Sequence, residues 1–455
     1  MKSLLIILAV VGLCYGQNAG TNTPEVHLDM PIQNCESGSC QSQSTKVVMD
    51  SNWRWAHETT GYTNCYDGNE WSPEFCPDAD TCTANCAIDG VDQATWSGTY
   101  GVTASGGSLS LKFVTQGTYS TNVGSRVYLM ESDSAYRIFY LKNKEFSVDI
   151  DTSQLPCGLN GALYFVEMEK DGGMSSYPTN KAGAAYGTGY CDAQCPHDVK
   201  FIAGKANSDG WKPSENDPNA GEGKYGACCF EMDIWEANSQ AQSFTSHPCN
   251  VNGYHPCEGT ECGDNGADRY SGVCDKDGCD FASYRNGVHD FYGPGLTVNS
   301  NSVITVITQF ITADGSDNGD LSEIRRIYIQ NGQTIQNAAV NFPGVTAYDS
   351  ITEPYCNEIK SFFGDVDDHE AKGGLRNMGQ SLGRGHVLVM SLWDDHYANM
   401  LWLDSSYPTD GDLNAPGTLR GPCPITSGVP SEVESQYASA TVKFSNIKIG
   451  PIQSY

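Results

Sequence analysis

Positive charge is scarce in this chain: 26 lysines and arginines stand against 55 aspartates and glutamates, a formal net charge of −29. A field of that sign excludes general electrostatic binding to nucleic acid or to anionic membranes. A neutral polymer remains an allowed partner. Long apolar runs are also missing, with one exception. A membrane anchor needs about 20 consecutive apolar residues, whereas Leu4 to Leu13 is shorter and has no second run downstream. With Lys2 before it and Cys14-Tyr15-Gly16 after it, that run reads as a secretory leader cut after Gly16. Secretion to the extracellular side is expected, with Gln17 as the new N-terminus, open to cyclisation as pyroglutamate. Repeats, linkers and low-complexity segments are absent, so residues 17–455 read as one large domain.

Cysteine, in contrast, is abundant at 19. Cys14 leaves with the leader, and an even set in an oxidising compartment reads as disulfides. Short loops suggest Cys35–Cys40, Cys76–Cys82 and Cys257–Cys262; counting does not fix the others. Cys191, Cys195, Cys228 and Cys229 lack the two CxxC knuckles of a zinc site, so no metal is expected. The acidity is not that of a disordered chain, because 10% of residues are aromatic and no long charge block occurs.

The hydrophobic periodicity is that of strands. Arg126–Met130, Tyr136–Leu141, Glu145–Ile150, Val303–Ile311, Ile324–Gln330, Val387–Trp393 and Ala440–Ile449 are short β-branched or aromatic runs. Asn331-Gly332 predicts a hairpin turn. Long helical patterns are scarce. Many strands with 49 glycines in the turns indicate an all-β sandwich. Long loops at 171–228 and 249–295 point to function. Asp314-Gly-Ser-Asp-Asn-Gly-Asp320 has a calcium-loop flavour but lacks the closing Glu and sits between strands, so a solvated hairpin turn is the better reading.

The sharpest local signal is Glu231-Met-Asp-Ile-Trp-Glu236. On a strand Glu231 and Asp233 share one face, with Met232 and Ile234 on the other. Glu236 is out of phase, and only a bulge or bend brings it to the same cleft. On spacing alone an exposed acidic strand end explains the trio equally well. The chemistry gives it a use: a retaining glycosidase needs one carboxyl ionised to attack and one protonated to assist the leaving group. A third carboxyl can share a proton with the nucleophile and tune it.

The segment Cys228-Cys-Phe-Glu-Met-Asp-Ile-Trp-Glu-Ala-Asn238 resembles the catalytic strand of glycoside hydrolase family 7, a family of cellobiohydrolases and endoglucanases. Asn52-Trp-Arg-Trp55, Cys157-Gly-Leu-Asn-Gly-Ala-Leu-Tyr-Phe165, Tyr186-Gly-Thr-Gly-Tyr-Cys-Asp192, Phe291-Tyr-Gly-Pro-Gly295 and Val389-Met-Ser-Leu-Trp393 resemble further family segments, in family order. The resemblance implies a concanavalin-like β-jelly-roll sandwich of two antiparallel sheets, with long disulfide-braced loops forming a substrate tunnel. It also implies cleavage of β-1,4-glucan without a cofactor, a cellulose chain and cellobiose as partners, and a monomer.

Residue by residue, it implies Glu231 as nucleophile, Asp233 as its proton-sharing neighbour, Glu236 as acid/base and His247 beside the leaving group; without it His247 reads as a loop histidine. Trp53 and Trp55, two apart and expected on one strand face, become glucosyl platforms at the entrance, with Trp393 before the cut and Trp402 after it. Trp235 is left as structural. Arg126, Asn160, Tyr164, Asp192, Gln194 and Lys200 are implied as sugar contacts before the cut. Arg269, Asp277, Arg285, Asp394 and Arg420 are implied on the product side. The implied disulfides add Cys65–Cys86, Cys157–Cys423, Cys191–Cys229, Cys195–Cys228, Cys249–Cys274 and Cys279–Cys356 to the three short loops.

The chain departs from the family pattern in four places. Ala87 stands where one half of a common disulfide would be, and the other half is missing too. The loop Gly263–Asp268 is a residue shorter than in familiar cellobiohydrolases and lacks an aromatic tip. His396 replaces a commoner Tyr, and no linker or cellulose-binding module is expected after Tyr455. The stretches 204–227, 249–285 and 396–420 have near cellobiohydrolase length, which favours a processive cellobiohydrolase over an open-cleft endoglucanase. The intact carboxylate trio argues against a lectin-like sandwich that binds glucan without cutting it.

The acidity carries its own prediction. Self-repulsion destabilises a strongly charged compact state, and molar salt shortens the screening length to about 3 Å. A neutral substrate gives salt nothing to compete with. Melting temperature and glucan turnover are expected to hold steady or rise from low salt to molar sodium chloride; a clear fall in either, at fixed pH, contradicts this.

Overall fold

β-Branched and aromatic runs, read in alternation, build two large antiparallel sheets in the computed structural model, which describes residues 16–453 apart from Asn265 and Ala267. The expected leader lies outside the described residues but for Gly16. In chain order the main strands begin with β1 (Leu28–Asp29), β2 (Lys46–Met49), β3 (Val102–Ser105), β4 (Ser108–Lys112) and β5 (Ser125–Ser132). Next come β6 (Lys144–Asp151), β7 (Leu159–Val166), β8 (Glu231–Ala237), β9 (Gln242–His247) and β10 (Cys279–Phe281). The last third holds β11 (Ile304–Thr312), β12 (Leu321–Gln330), β13 (Gln333–Gln336), helices α1 (Glu353–Phe363) and α2 (Gly374–Arg384), β14 (His386–Asp394) and β15 (Thr441–Pro451).

One sheet runs β1-β2-β5-β14-β7-β8-β9-β10 and the other β3-β4-β15-β6-β11-β12-β13. Neighbours along the centre of each are antiparallel, as in β7 against β14 and β8, and in β15 against β4 and β6. The fold is the expected β-jelly roll. The chain's last strand, β15, lies inside the second sheet rather than at its edge.

The core lies between the sheets. On β7, Leu159, Leu163 and Phe165 point into it, while Ala162, Tyr164 and Val166 join a smaller apolar cluster on the opposite face. On β14, Leu388, Met390 and Leu392 do the same against Val387 and Val389. Each such large side chain removed from water contributes about 1.5–3 kcal/mol. Gly161 is required by this packing: a Cβ there would meet Leu155 Cδ1 at 2.7 Å and Val442 Cγ2 at 2.9 Å.

The turn expected at Asn331-Gly332 joins β12 to β13, with φ of 53° and 74° at its two residues. The segment 314–320 is the β11–β12 connection, closed by Ala313 N–H donating to the Asp320 carbonyl. Tyr136–Leu141 is broken into two short strands at Arg137, whose N–H turns to the Leu129 carbonyl. Helix was under-read. α1 and α2 are 11 residues each, and α1 carried its signals in the sequence. Thr352 caps Tyr355 N–H, Pro354 sits in the first turn, and Gly364 ends the helix in the left-handed region.

Among the described residues nine disulfides are formed, in the nine pairings the family resemblance implies. Two of them, Cys191–Cys229 and Cys195–Cys228, use up the four cysteines that could otherwise have held zinc. Peptide mapping without reduction should return these nine pairs, and the native protein should take up no alkylating reagent; bound zinc or one reactive thiol contradicts the arrangement.

Candidate active site

β8 sorts its side chains by chemistry. Met232, Ile234, Trp235 and Ala237 enter the inter-sheet core, and Glu231, Asp233 and Glu236 face the other way. Two successive core residues, Ile234 and Trp235, are possible because the strand carries a bulge. Leu163 of β7 pairs with Trp235 but Tyr164 pairs with Asp233, which leaves Ile234 without a partner. On the other side the register with β9 slips between Asp233 and Glu236. The extra residue corrects the phase of Glu236 and brings it to the face of the other two carboxyls. Trp235 is fully buried against Tyr292, in the structural place expected for it.

Each carboxyl has a distinct set of donors. Glu231 Oε2 accepts the Ala193 N–H at 3.0 Å. Asp233 Oδ2 lies 3.1 Å from His247 Nε2, and His247 Nδ1 is 2.8 Å from the Asp275 carbonyl. A carbonyl only accepts, so Nδ1 carries a proton and Nε2 faces the carboxyl. Ligating atoms of Glu231, Asp233 and His247 lie within 4.8 Å of one another. Glu236 Oε1 accepts from Asn160 Nδ2 at 2.9 Å, while Asn160 Oδ1 accepts the Ala237 N–H.

Burial raises the pKa of all three. Glu231 is pushed well up by burial and then by Asp233 and Asp192, with His247 and the Ala193 N–H pulling it back. Asp233 is pushed well up by burial and by Glu236. Glu236 is raised by burial against the opposing pull of His247 and Asn160. Like-charged carboxyls this close and this dry share protons. Chemically the group offers three adjoining carboxyls that all favour the neutral form, with the Ala193 N–H donating to Glu231 and Asn160 to Glu236, so that protons are shared and an ionised carboxylate can stand beside a protonated one.

The other expected residues divide into two sets. Trp393 and Trp402 are half-buried and stack with ring centroids 6.3 Å apart, and Trp402 Nε1 is fixed by Asp395 Oδ2. Trp53 and Trp55 do not share a strand face. Trp53 closes a 3-10 turn over Ser51–Trp53, because Asp50 caps the Asn52 N–H, and the chain extends only after it. Trp55 stacks on His57 and Tyr62. Tyr164, Tyr190 and Asp192 form a hydroxyl-to-carboxylate chain, and Gln194 donates its side chain to the Lys276 carbonyl. Lys200 donates to the Asn52 carbonyl over the Tyr66 ring, and burial lowers its pKa to about 8. Arg269 pairs with Asp277 at 2.8 Å. Burial raises Asp394 to about 6 and lowers Arg420 to about 10, and Arg420 forms no ion pair among the described residues.

Three expected sugar contacts also have partners within the protein. Asn160 is fully buried with both ends of its amide used, so it orients Glu236. Arg126 donates to Asp50 and lies against Trp53 and Tyr190, so it braces the Trp53 turn. Arg285 is buried between Asp280 and Asp365 and also donates to the Gly417 carbonyl. Sequence reasoning missed the Ala193 N–H, the Asp275 carbonyl, Tyr190 and Asp395. The first two are backbone groups and carry no residue-type signal.

The raised pKa values fix the sign of a stability effect. A carboxyl held above its usual value favours the fold while neutral, and that contribution is lost as pH rises from the ordinary carboxylate range through the raised values. Glu231→Gln is neutral at every pH. It should therefore raise the melting temperature by a few degrees at pH 7 and by less at pH 4. A gain that is equal at both, or larger at pH 4, contradicts this.

Comparison with known proteins agrees with the geometry. The model of Glycosyl hydrolase family 7 matches residues 19–455. An exoglucanase, GH7B, from Limnoria quadripunctata is 66% identical over 454 residues, covering 100% of this chain and 99% of that protein. The crystal structure of a family 7 cellobiohydrolase from Daphnia pulex is 60% identical, with a TM-score of 0.95 over 96% of this chain and 99% of that one. A cellobiohydrolase from Melanocarpus albomyces, solved with cellotetraose, is 47% identical, with a TM-score of 0.90 over 96% and 98%. A family model spanning almost the whole chain, matched by a strand whose bulge gathers three carboxyls on one face, places this chain in glycosyl hydrolase family 7.

Proposed function

We propose that this chain is a secreted, single-domain, monomeric cellulase that cuts β-1,4-glucan with retention of configuration, releasing cellobiose processively. Glu231 attacks the anomeric carbon and forms a glycosyl ester as the bond to the leaving chain breaks. Glu236 gives its proton to the departing oxygen. It then takes a proton from the water that attacks the same carbon, and Glu231 leaves as carboxylate. Asp233 shares a proton with Glu231, and His247 steadies Asp233 from behind. The observation that carries this reading is the bulge at Ile234, which brings Glu236 to the face of Glu231 and Asp233. The named activities of the relatives, exoglucanase and cellobiohydrolase, support the substrate and the exo mode.

The sugar faces stack on Trp53, Trp55, Trp393 and Trp402. Tyr164, Asp192, Gln194 and Lys200 read hydroxyls before the cut, and Arg269, Asp277, Asp394 and Arg420 hold the product. Arg420 suits this because its cation has no carboxylate clamped to it. The leader directs export, and among the described residues no helix is long and apolar enough to cross a membrane. An endoglucanase with a more open cleft is the second reading, favoured by the short Gly263–Asp268 loop without an aromatic tip.

Glu231→Gln should lose turnover by roughly 10⁴-fold or more yet still bind glucan, and a slow fluorinated glycoside should label Glu231 in the wild type. Cellobiose should be the main soluble product from solid cellulose. A label on Asp233 or Glu236 reverses the roles, and a rapid viscosity drop with mixed long products selects the endoglucanase.

A further inference from the structure

The bulge at Ile234 leaves a backbone carbonyl outside the β7–β8–β9 ladder, and its donor comes from the opposite sheet. Arg326 on β12 is fully buried, and its Nη2 donates to the Ile234 carbonyl. The cation lies 4.2 Å from the Phe244 ring centroid and within 6 Å of the Trp235 and Tyr328 rings. Among the described residues no carboxylate pairs with it; its Nε and Nη1 make no well-formed hydrogen bond, and the Tyr328 hydroxyl is its other polar neighbour. A core position whose task was only to fill space would hold Leu or Met, since an unpaired buried cation is costly. Aromatic faces offset part of that cost. A buried carbonyl deprived of its ladder partner needs a donor, and Arg326 supplies one that neither neighbouring strand can.

We infer that Arg326 is a positioning residue for catalysis: it pins the Ile234 bulge from behind and thereby fixes Glu236 relative to Glu231 and Asp233. Residues 233 and 236 bracket the pinned carbonyl, so any flattening of the bulge moves Glu236 first. The groups facing Glu236 are Asn160, His247, Asp233 and Asp280. Among the described residues none of them donates to the Ile234 carbonyl, which takes its side-chain donor from Arg326. The inference rests on Glu236 being the general acid, and the test separates the two.

Turnover of a cellobioside with an activated aryl leaving group needs little acid assistance, whereas an unactivated cello-oligosaccharide needs it fully. Arg326→Met should lower kcat on the oligosaccharide by about a hundredfold, the size expected for a displacement of order 1 Å. Its loss on the aryl substrate should be several-fold smaller, with KM little changed on both. Glu236→Gln serves as the reference and should show the same split more strongly. Arg326→Lys keeps the charge but not the planar fork; it should give an intermediate loss with the same split, and it serves alone if the Met variant does not fold. A split in Glu236→Gln with equal losses, or with kcat intact and only the melting temperature lowered, in the Arg326 variants overturns the positioning role. No split in Glu236→Gln overturns the acid assignment, and this inference with it.

Discussion

A β-strand offers one face only every second side chain, and the site depends on breaking that parity once. Glu231 and Asp233 obey it; Glu236 does not, and the unpaired Ile234 resets the count. Everything around β8 is arranged for this defect. The core takes two adjacent apolar residues, β7 supplies Asn160 to hold Glu236, and β9 brings His247 opposite Glu231 and onto Asp233. Without the bulge, strict alternation would send Trp235 into the cleft and Glu236 into the core, at the cost of both packing and a buried charge.

The second element is the covering of that sheet's outer face. Loops do it, and loops cannot hold themselves. Cys191–Cys229 and Cys195–Cys228 tie the 191–195 segment to the chain just ahead of β8. That is why the Ala193 N–H can reach Glu231 at all. Cys249–Cys274 does the same for the loop that offers the Asp275 carbonyl to His247. The disulfides therefore act on the electrostatics of the carboxyls as well as on stability.

Much of the sandwich was legible because it rests on local rules. β-Branched runs gave β5, β6, β11, β12, β14 and β15, and Asn331-Gly332 gave its turn. The carboxyl trio was visible, and the need for a bulge could be stated, but not which residue would be extra, since register is set by two neighbouring strands. The shape around Trp53 was misjudged because the Asp50 cap outweighed an alternation only two residues long. Partners of the site were least legible: Ala193 lies 38 residues from Glu231, and Arg326 lies 92 from Ile234. Such contacts belong to the packed state, and a one-dimensional pattern does not encode them.

The placement of β15 has a further consequence, for the order of events as the chain is made. Thr441–Pro451 lies between β4 and β6 in the second sheet, in register with residues more than 290 positions earlier. Until Thr441–Pro451 leave the ribosome, β4 and β6 have no common neighbour and the core has one open wall. Cys157–Cys423 likewise joins positions 266 residues apart. Assembly is therefore delayed until β15 has been made, with β-pairings of long range that close slowly. The second sheet cannot lock before β15 is available to both of its neighbours, so the sandwich closes as one late, cooperative step rather than strand by strand.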